Sequence, residues 1–197
     1  MAEDLMRRSE EGQTPIEDLS GLIPKIKMRQ ELDALEFANI NQARVKYLLD
    51  KSLKRLSVGF LMEVHKNMFL EVWEWAGRAR KGGGKNIGVP SHHIIPELGR
   101  LIAELDSWEK ERMFVLEIVV RIHHRLTWIH PFENGNGRWA RLICDIYMRS
   151  KELPIIEWPS DPKQMKEVFR PKYLAALKAG DKGDFQPFLE LHKEYYS

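Results

Sequence analysis

The sequence has one cysteine, Cys144, so it can form neither an internal disulfide nor a cysteine-rich zinc module. It has no run of 18 apolar residues, which excludes a membrane-spanning helix. Its opening stretch, MAEDLMRRSEEGQ, lacks the apolar core of a secretory leader, so the expected location is cytoplasmic. Charge is nearly balanced: 31 Lys and Arg against 29 Asp and Glu leave a net +2. That is too little for a free-standing nucleic-acid binder without a concentrated basic patch. Five histidines (His92, His93, His123, His124 and His130) invite a zinc reading, but there is no HExxH spacing and no cysteine partner. Gly84-Lys85 fails as a P-loop, because Ala79 stands where the first glycine belongs and Asn86 where Ser or Thr belongs.

What remains is an ordinary globular composition, 43% hydrophobic and 30% charged over 197 residues. Residues 1–28 read as a mobile arm punctuated by Thr14-Pro15, Ser20-Gly21 and Pro24. Apolar residues then fall at helical spacing from Gln30 to about Leu56: Leu32, Leu35, Phe37, Ile40, Ala43, Val45, Leu48 and Leu49. Ser57 is the expected cap of a second helix. The glycine-rich stretch 77–91 reads as a short β-hairpin, and Pro96 opens the next helix, to about Trp108. From Met113 to Ile129 the chain is apolar almost all round, apart from a stripe of Glu117, Arg121 and Arg125, so this should be the central buried helix. Pro131 should end it at His130. Further helices are expected from Gly137 to about Lys151, over 161–179 and over 184–195. The fold class is all-α, a helical bundle with one small hairpin. The expected organisation is an arm (1–28), an N-terminal helix with possible regulatory function (29–56) and the main domain (57–193).

Chemistry concentrates between the two central helices, in His130-Pro131-Phe132-Glu133-Asn134-Gly135-Asn136-Gly137-Arg138 followed by Trp139-Ala140-Arg141. Histidine at a helix end is suited to moving protons at neutral pH. Gly135 and Gly137 let the backbone curl ahead of a helix N-terminus, whose open amides favour an anion. Arg138 and Arg141 lie three apart and share a face. A base, an anion nest and paired guanidiniums point to a hydroxyl attacking a phosphate, with placement and charge neutralisation supplied by the protein.

This segment resembles the motif HPFx[D/E]GN[G/K]RxxR of the Fic/Doc (Fido) family. The resemblance extends through WEWAGRAR, KNIGV, RIHHRLTWIHPF and RPKYLAALKAGDKGDFQPF, and residues 12–43 are similar to the bacterial subgroup called mobile mystery protein B. It implies a Fic-type bundle with a hairpin flap, and transfer of AMP from Mg²⁺-ATP to a Ser, Thr or Tyr hydroxyl of a protein substrate. By the same resemblance His130 is the catalytic base. Gly135, Asn136, Gly137, Arg138 and Arg141 bind the nucleotide phosphates, with Phe132 fixing the loop from the core. The flap residues Lys85, Asn86, Ile87 and Gly88 align the protein substrate by strand addition. Asn134 occupies the family's acidic, metal-holding position, so Mg²⁺ there would meet a carboxamide oxygen without charge. Leu35-Glu36 resembles the centre of the family's inhibitory helix, with Leu32 and Phe37 replacing its flanking residues. Glu36 is therefore a candidate inhibitor and is expected to pair with Arg141. The subgroup resemblance also implies a helix-turn-helix regulator, as in a toxin-like regulated pair. The alternatives are a Fic-fold transferase of another phosphate-containing group, or a catalytically silent partner of such a regulator.

Overall fold

The computed structural model describes residues 20–26, 29–50, 55–82, 88–159 and 164–196. Its helices are α1 (Arg29–Leu49), α2 (Val58–Phe69), α3 (Ile94–Lys110), α4 (Val115–Ile129), α5 (Asn136–Ser150), α6 (Arg170–Gly180) and α7 (Gln186–Glu194). Ser57 caps α2 as expected, its Oγ accepting from the Phe60 amide at 3.2 Å. The nearly all-apolar α4 is central, packed against α3, α5 and α7. A π turn, Met165–Phe169, leads into α6. Pro171 has no amide hydrogen with which to continue the regular ladder there, and the wider turn accommodates that loss.

The first helix is shorter than expected. It ends at Leu49, short of Leu56. Its buried stripe is Leu32, Glu36, Asn39, Ala43 and Tyr47, whereas Phe37 is 68% and Leu49 74% exposed. A 3.6-residue period cannot bring residues 32 and 37 to one side, so half of the apolar set faces outward. Of the expected arm, residues 20–26 are described: the Ile23 amide donates to Val72 and the Glu74 amide to Gly21, joining this stretch to the turn after α2. Residues 1–19 and 27–28 lie outside the described residues. No strand forms among the described residues beyond the single bridge of Leu22 with Trp73. The tip of the expected hairpin, with Lys85, Asn86 and Ile87, lies outside them as well.

The core contains uncharged histidines. The His65 ring is fully buried, stacked 3.5 Å from the Phe132 ring at 11°. His123 and His192, also fully buried, lie where α4, α6 and α7 meet. Burial lowers the His65 pKa to about 3 and the His192 pKa to about 4, and holds His123 well below its usual value. These rings are neutral in the folded chain, while an unfolded histidine takes up a proton near pH 6.5. Their stabilising contribution is therefore complete above pH ~6.5 and is lost as the pH falls from there through about 4 for His192 and about 3 for His65. Denaturant titrations between pH 7 and pH 5 should show stability falling by up to about 1.4 kcal/mol per pH unit for each such histidine.

Candidate active site

The α4–α5 corner is built by local chain geometry. Helix α4 stops because Pro131 disfavours helical geometry at the residue before it. His130 instead takes a left-handed conformation, φ 50° and ψ 61°. Arg80 holds that conformation. Its Nε donates to the His130 carbonyl at 2.7 Å, its Nη1 to Gly82 at 2.9 Å and its Nη2 to Val89, while its amide donates to Pro131. Gly88 presses against the same spot: a Cβ there would lie 2.6 Å from the His130 Cβ. Of the expected flap residues, Gly88 is the one described, and it is a close-packed neighbour of the histidine.

Burial, reinforced by the Arg80 charge, lowers the His130 pKa to about 4, against a smaller raising effect of its hydrogen bond to the Thr127 carbonyl. The ring is thus neutral near pH 7. The nitrogen that donates to Thr127 fixes the tautomer, and the other nitrogen is the basic one.

The loop beyond it is braced from inside. The His65 Nδ1 accepts from the Gly77 amide at 3.0 Å, so its Nε2 donates to the Asn134 carbonyl at 3.1 Å. The Asn136 side chain accepts from the Phe132 amide and donates to the Phe132 carbonyl, at 3.0 and 2.8 Å. The carboxamide thus ties the loop at Phe132 to the start of α5. Phe132, fully buried between His65 and Trp139, supports the loop and does not line a ligand site. Gly135 adopts φ +78°, and α5 begins at the next residue. The Gly137 and Arg138 amides therefore lie in an open first turn.

The two arginines diverge. Arg138 Nη1 donates to the Glu36 Oε2 at 2.5 Å, and its guanidinium lies 5.0 Å from the centre of the Phe69 ring. Glu36 is only 3% exposed, and its other oxygen accepts from the Trp73 indole at 2.8 Å. Glu36 is thus paired with the first arginine, not with Arg141 as expected. Arg141, one turn further along α5, is half-buried: burial lowers its pKa, Tyr173 and Asp145 act on it favourably, and Arg138 and Arg170 unfavourably. Asp145 makes no salt bridge with it: its Oδ2 pairs with Arg44 of α1 at 3.1 Å, and its buried Oδ1 has no hydrogen-bond partner among the described residues.

Asn134 is turned into its own loop, its Oδ1 accepting from the Gly135 amide at 2.7 Å. Among the described residues no three His, Cys, Asp or Glu side chains gather as a metal site. An open groove of about 800 Å³ adjoins the corner, lined by Gly88, Val89, Pro90, Glu97, His124 and Trp128 among others, but by none of the residues 130–141. Sequence reasoning missed His65, Arg80 and Trp73 as supports. Each acts through a partner distant in the chain, and only Glu36 and Asn39 on the inner stripe of α1 carried a local signal, as polar residues at core positions.

Gly135→Ala should be strongly destabilising, because the added Cβ would lie 2.5 Å from the Phe69 Cζ at a positive φ. A loss of at least about 2 kcal/mol in chemical denaturation is expected.

The family profile described as Fic/DOC family matches residues 55–148. Protein adenylyltransferase fic-1 of Caenorhabditis briggsae is 27% identical over 161 residues, 79% of this chain; the chain spans 29% of that relative's length. The structure of BepC, a VirB-translocated effector of Bartonella tribocorum with bound AMPPNP, superposes with a TM-score of 0.68 at 17% identity, covering 87% of this chain and 89% of BepC. The N-terminal Fic domain of a Bep effector from Bartonella quintana with bound ADP gives 0.68 at 18% identity, covering 89% of each chain. At these identities the likeness is one of fold.

Proposed function

We propose that this chain is a protein adenylyltransferase of the Fic/DOC family, whose profile its residues 55–148 match. The observation that carries the reading is the corner itself. A neutral, half-buried histidine precedes an open helix N-terminus that bears two arginines. Relatives named as protein adenylyltransferases, and Fic structures holding AMPPNP or ADP, support ATP as the donor.

In this reading the basic nitrogen of His130 takes the proton of a Ser, Thr or Tyr hydroxyl on another protein. The hydroxyl oxygen forms a bond to the α-phosphorus of ATP. The bond from that phosphorus to the bridging oxygen breaks, and pyrophosphate leaves. The first-turn amides of α5, with Gly135 and Gly137 as the curl ahead of them, and Arg138 and Arg141 neutralise the phosphate charge. The 78–90 segment, with Lys85 to Gly88, is where this reading puts the protein substrate. The residues do not by themselves fit a tightly held Mg²⁺. Asn134 brings no charge and its oxygen already serves the Gly135 amide, so no step is routed through a metal.

Glu36 acts as a brake in this reading, because Arg138 cannot serve a phosphate while it pairs with that carboxylate. A helix-turn-helix partner, and the organisation into an arm, a regulatory helix and a Fic domain, are supported by the resemblance of residues 12–43 and 57–193 alone.

Incubation with labelled ATP and a cell lysate should label protein in the presence of the wild-type chain and not of His130→Ala; equal labelling would remove the mechanism. Glu36→Gly should raise the labelling rate, and Arg138→Ala in that background should lower it by roughly 10²-fold, about 3 kcal/mol. Because the His130 base form is lost only as pH falls through about 4, kcat/KM should be level from about pH 6 to 8. An ordinary imidazole would give a rise near 6.5.

A further inference from the structure

Helix α1 carries a second stripe opposite its buried one. Ala34, Phe37, Ala38, Asn41 and Val45 recur every three or four residues, so they run along one side of the helix. That side is turned away from the one that buries Leu32, Glu36, Asn39, Ala43 and Tyr47 in the bundle. Phe37 is 68% and Val45 58% exposed, Ala34 and Ala38 are exposed, and Asn41 is the one polar member. A single exposed apolar residue is ordinary, but an aromatic and a β-branched residue aligned with small ones at helical spacing form a seam that fits another helix.

The flanks of the seam identify that helix. Each flank has an acid toward the N-terminus and a base toward the C-terminus: Glu31 and Lys46 on one side, Asp33 and Arg44 on the other. Both pairs are centred on the same point, between Ala38 and Asn39. A second α1 laid antiparallel about that point brings Glu31 level with Lys46 of the second copy and Asp33 level with its Arg44, on both flanks at once. The same alignment drops Phe37 of each copy between Ala38 and Asn41 of the other, a knob entering a hole. A parallel alignment would set acid on acid and base on base. Arg44 meets Asp145 through Nη1, and its guanidinium has further N–H groups to offer; Lys46, 4.0 Å from Glu63, is exposed.

We propose that the outward side of α1 is a self-association surface, on which a second copy of this chain docks through the same helix, antiparallel and about a two-fold axis. The inward side stays in place, so each copy keeps its Glu36–Arg138 pair. The pairing is independent of the adenylyltransferase reading.

Sedimentation equilibrium of the full chain tests this. The wild type should dimerise, and Phe37→Glu should raise the dimer dissociation constant at least about 100-fold. Phe37 lies outside the core, so that variant should keep the wild-type circular dichroism. Glu31→Lys and Lys46→Glu should each weaken association about fivefold, and the two together in one chain should restore it. Ala38→Cys should form an intermolecular disulfide on mild oxidation, because its copies meet beside the two-fold axis. Ala34→Cys should not, because antiparallel pairing holds its copies roughly 14 Å apart along the helix. A wild-type chain that stays monomeric at about 500 μM assigns the face to a different occupant and overturns the proposal. A dimer that Phe37→Glu leaves intact overturns it as well, and so does ready cross-linking of Ala34→Cys.

Discussion

The molecule depends on the way the chain turns between α4 and α5. A left-handed residue at the end of one helix and a positive-φ glycine at the start of the next make a corner that does not hold itself. It is held by a buried imidazole stacked flat on Phe132 and hydrogen-bonded on both nitrogens, and by a guanidinium whose three nitrogens each meet a carbonyl. The turn ends with the backbone amides of a helix start unoccupied and two cations beside them. Polar groups are buried here because each is satisfied, and a fully satisfied buried network rigidifies what it touches.

The same satisfaction explains which side chains of the motif are free to act. Asn134, Asn136 and Phe132 are consumed in building the turn. In the proposed function the acting groups are His130, the first-turn amides and the arginines. Of those, Arg138 is already matched to a carboxylate that arrives from a different helix, and that carboxylate is itself held by an indole. The fold thus supplies its own anion at the place where the proposed function needs a foreign one.

Much of this was legible in the sequence. The all-α class, the central apolar helix, the Ser57 cap and the break at Pro131 follow from period, capping and proline chemistry, and each has a local cause. The motif stood out for a similar reason, since its residues are contiguous. The supports were illegible because they are not. His65 lies 69 positions before Asn134 and Arg80 lies 50 before His130, the residues they brace, and neither has a local pattern to betray it. Which of the eight apolar residues of α1 face inward depends on how the helix is rotated against α2 and α5, and the helical period allows about half of them inward. The pairing of Glu36 with Arg138 instead of Arg141 depends on the rotation of α1 against α5, which the Arg44–Asp145 contact helps to set and which no one-dimensional pattern contains.

The carboxylate of Glu36 rests on Trp73, and Trp73 in turn stacks on Trp75 with ring centres 4.9 Å apart. An indole whose N–H is bonded to a buried anion emits differently from one released to water or left unbonded. The chain therefore carries an intrinsic optical gauge at the junction of its first helix and the α4–α5 corner. Docking and undocking of the acid can be followed in real time by fluorescence, with no label attached and no substrate turned over.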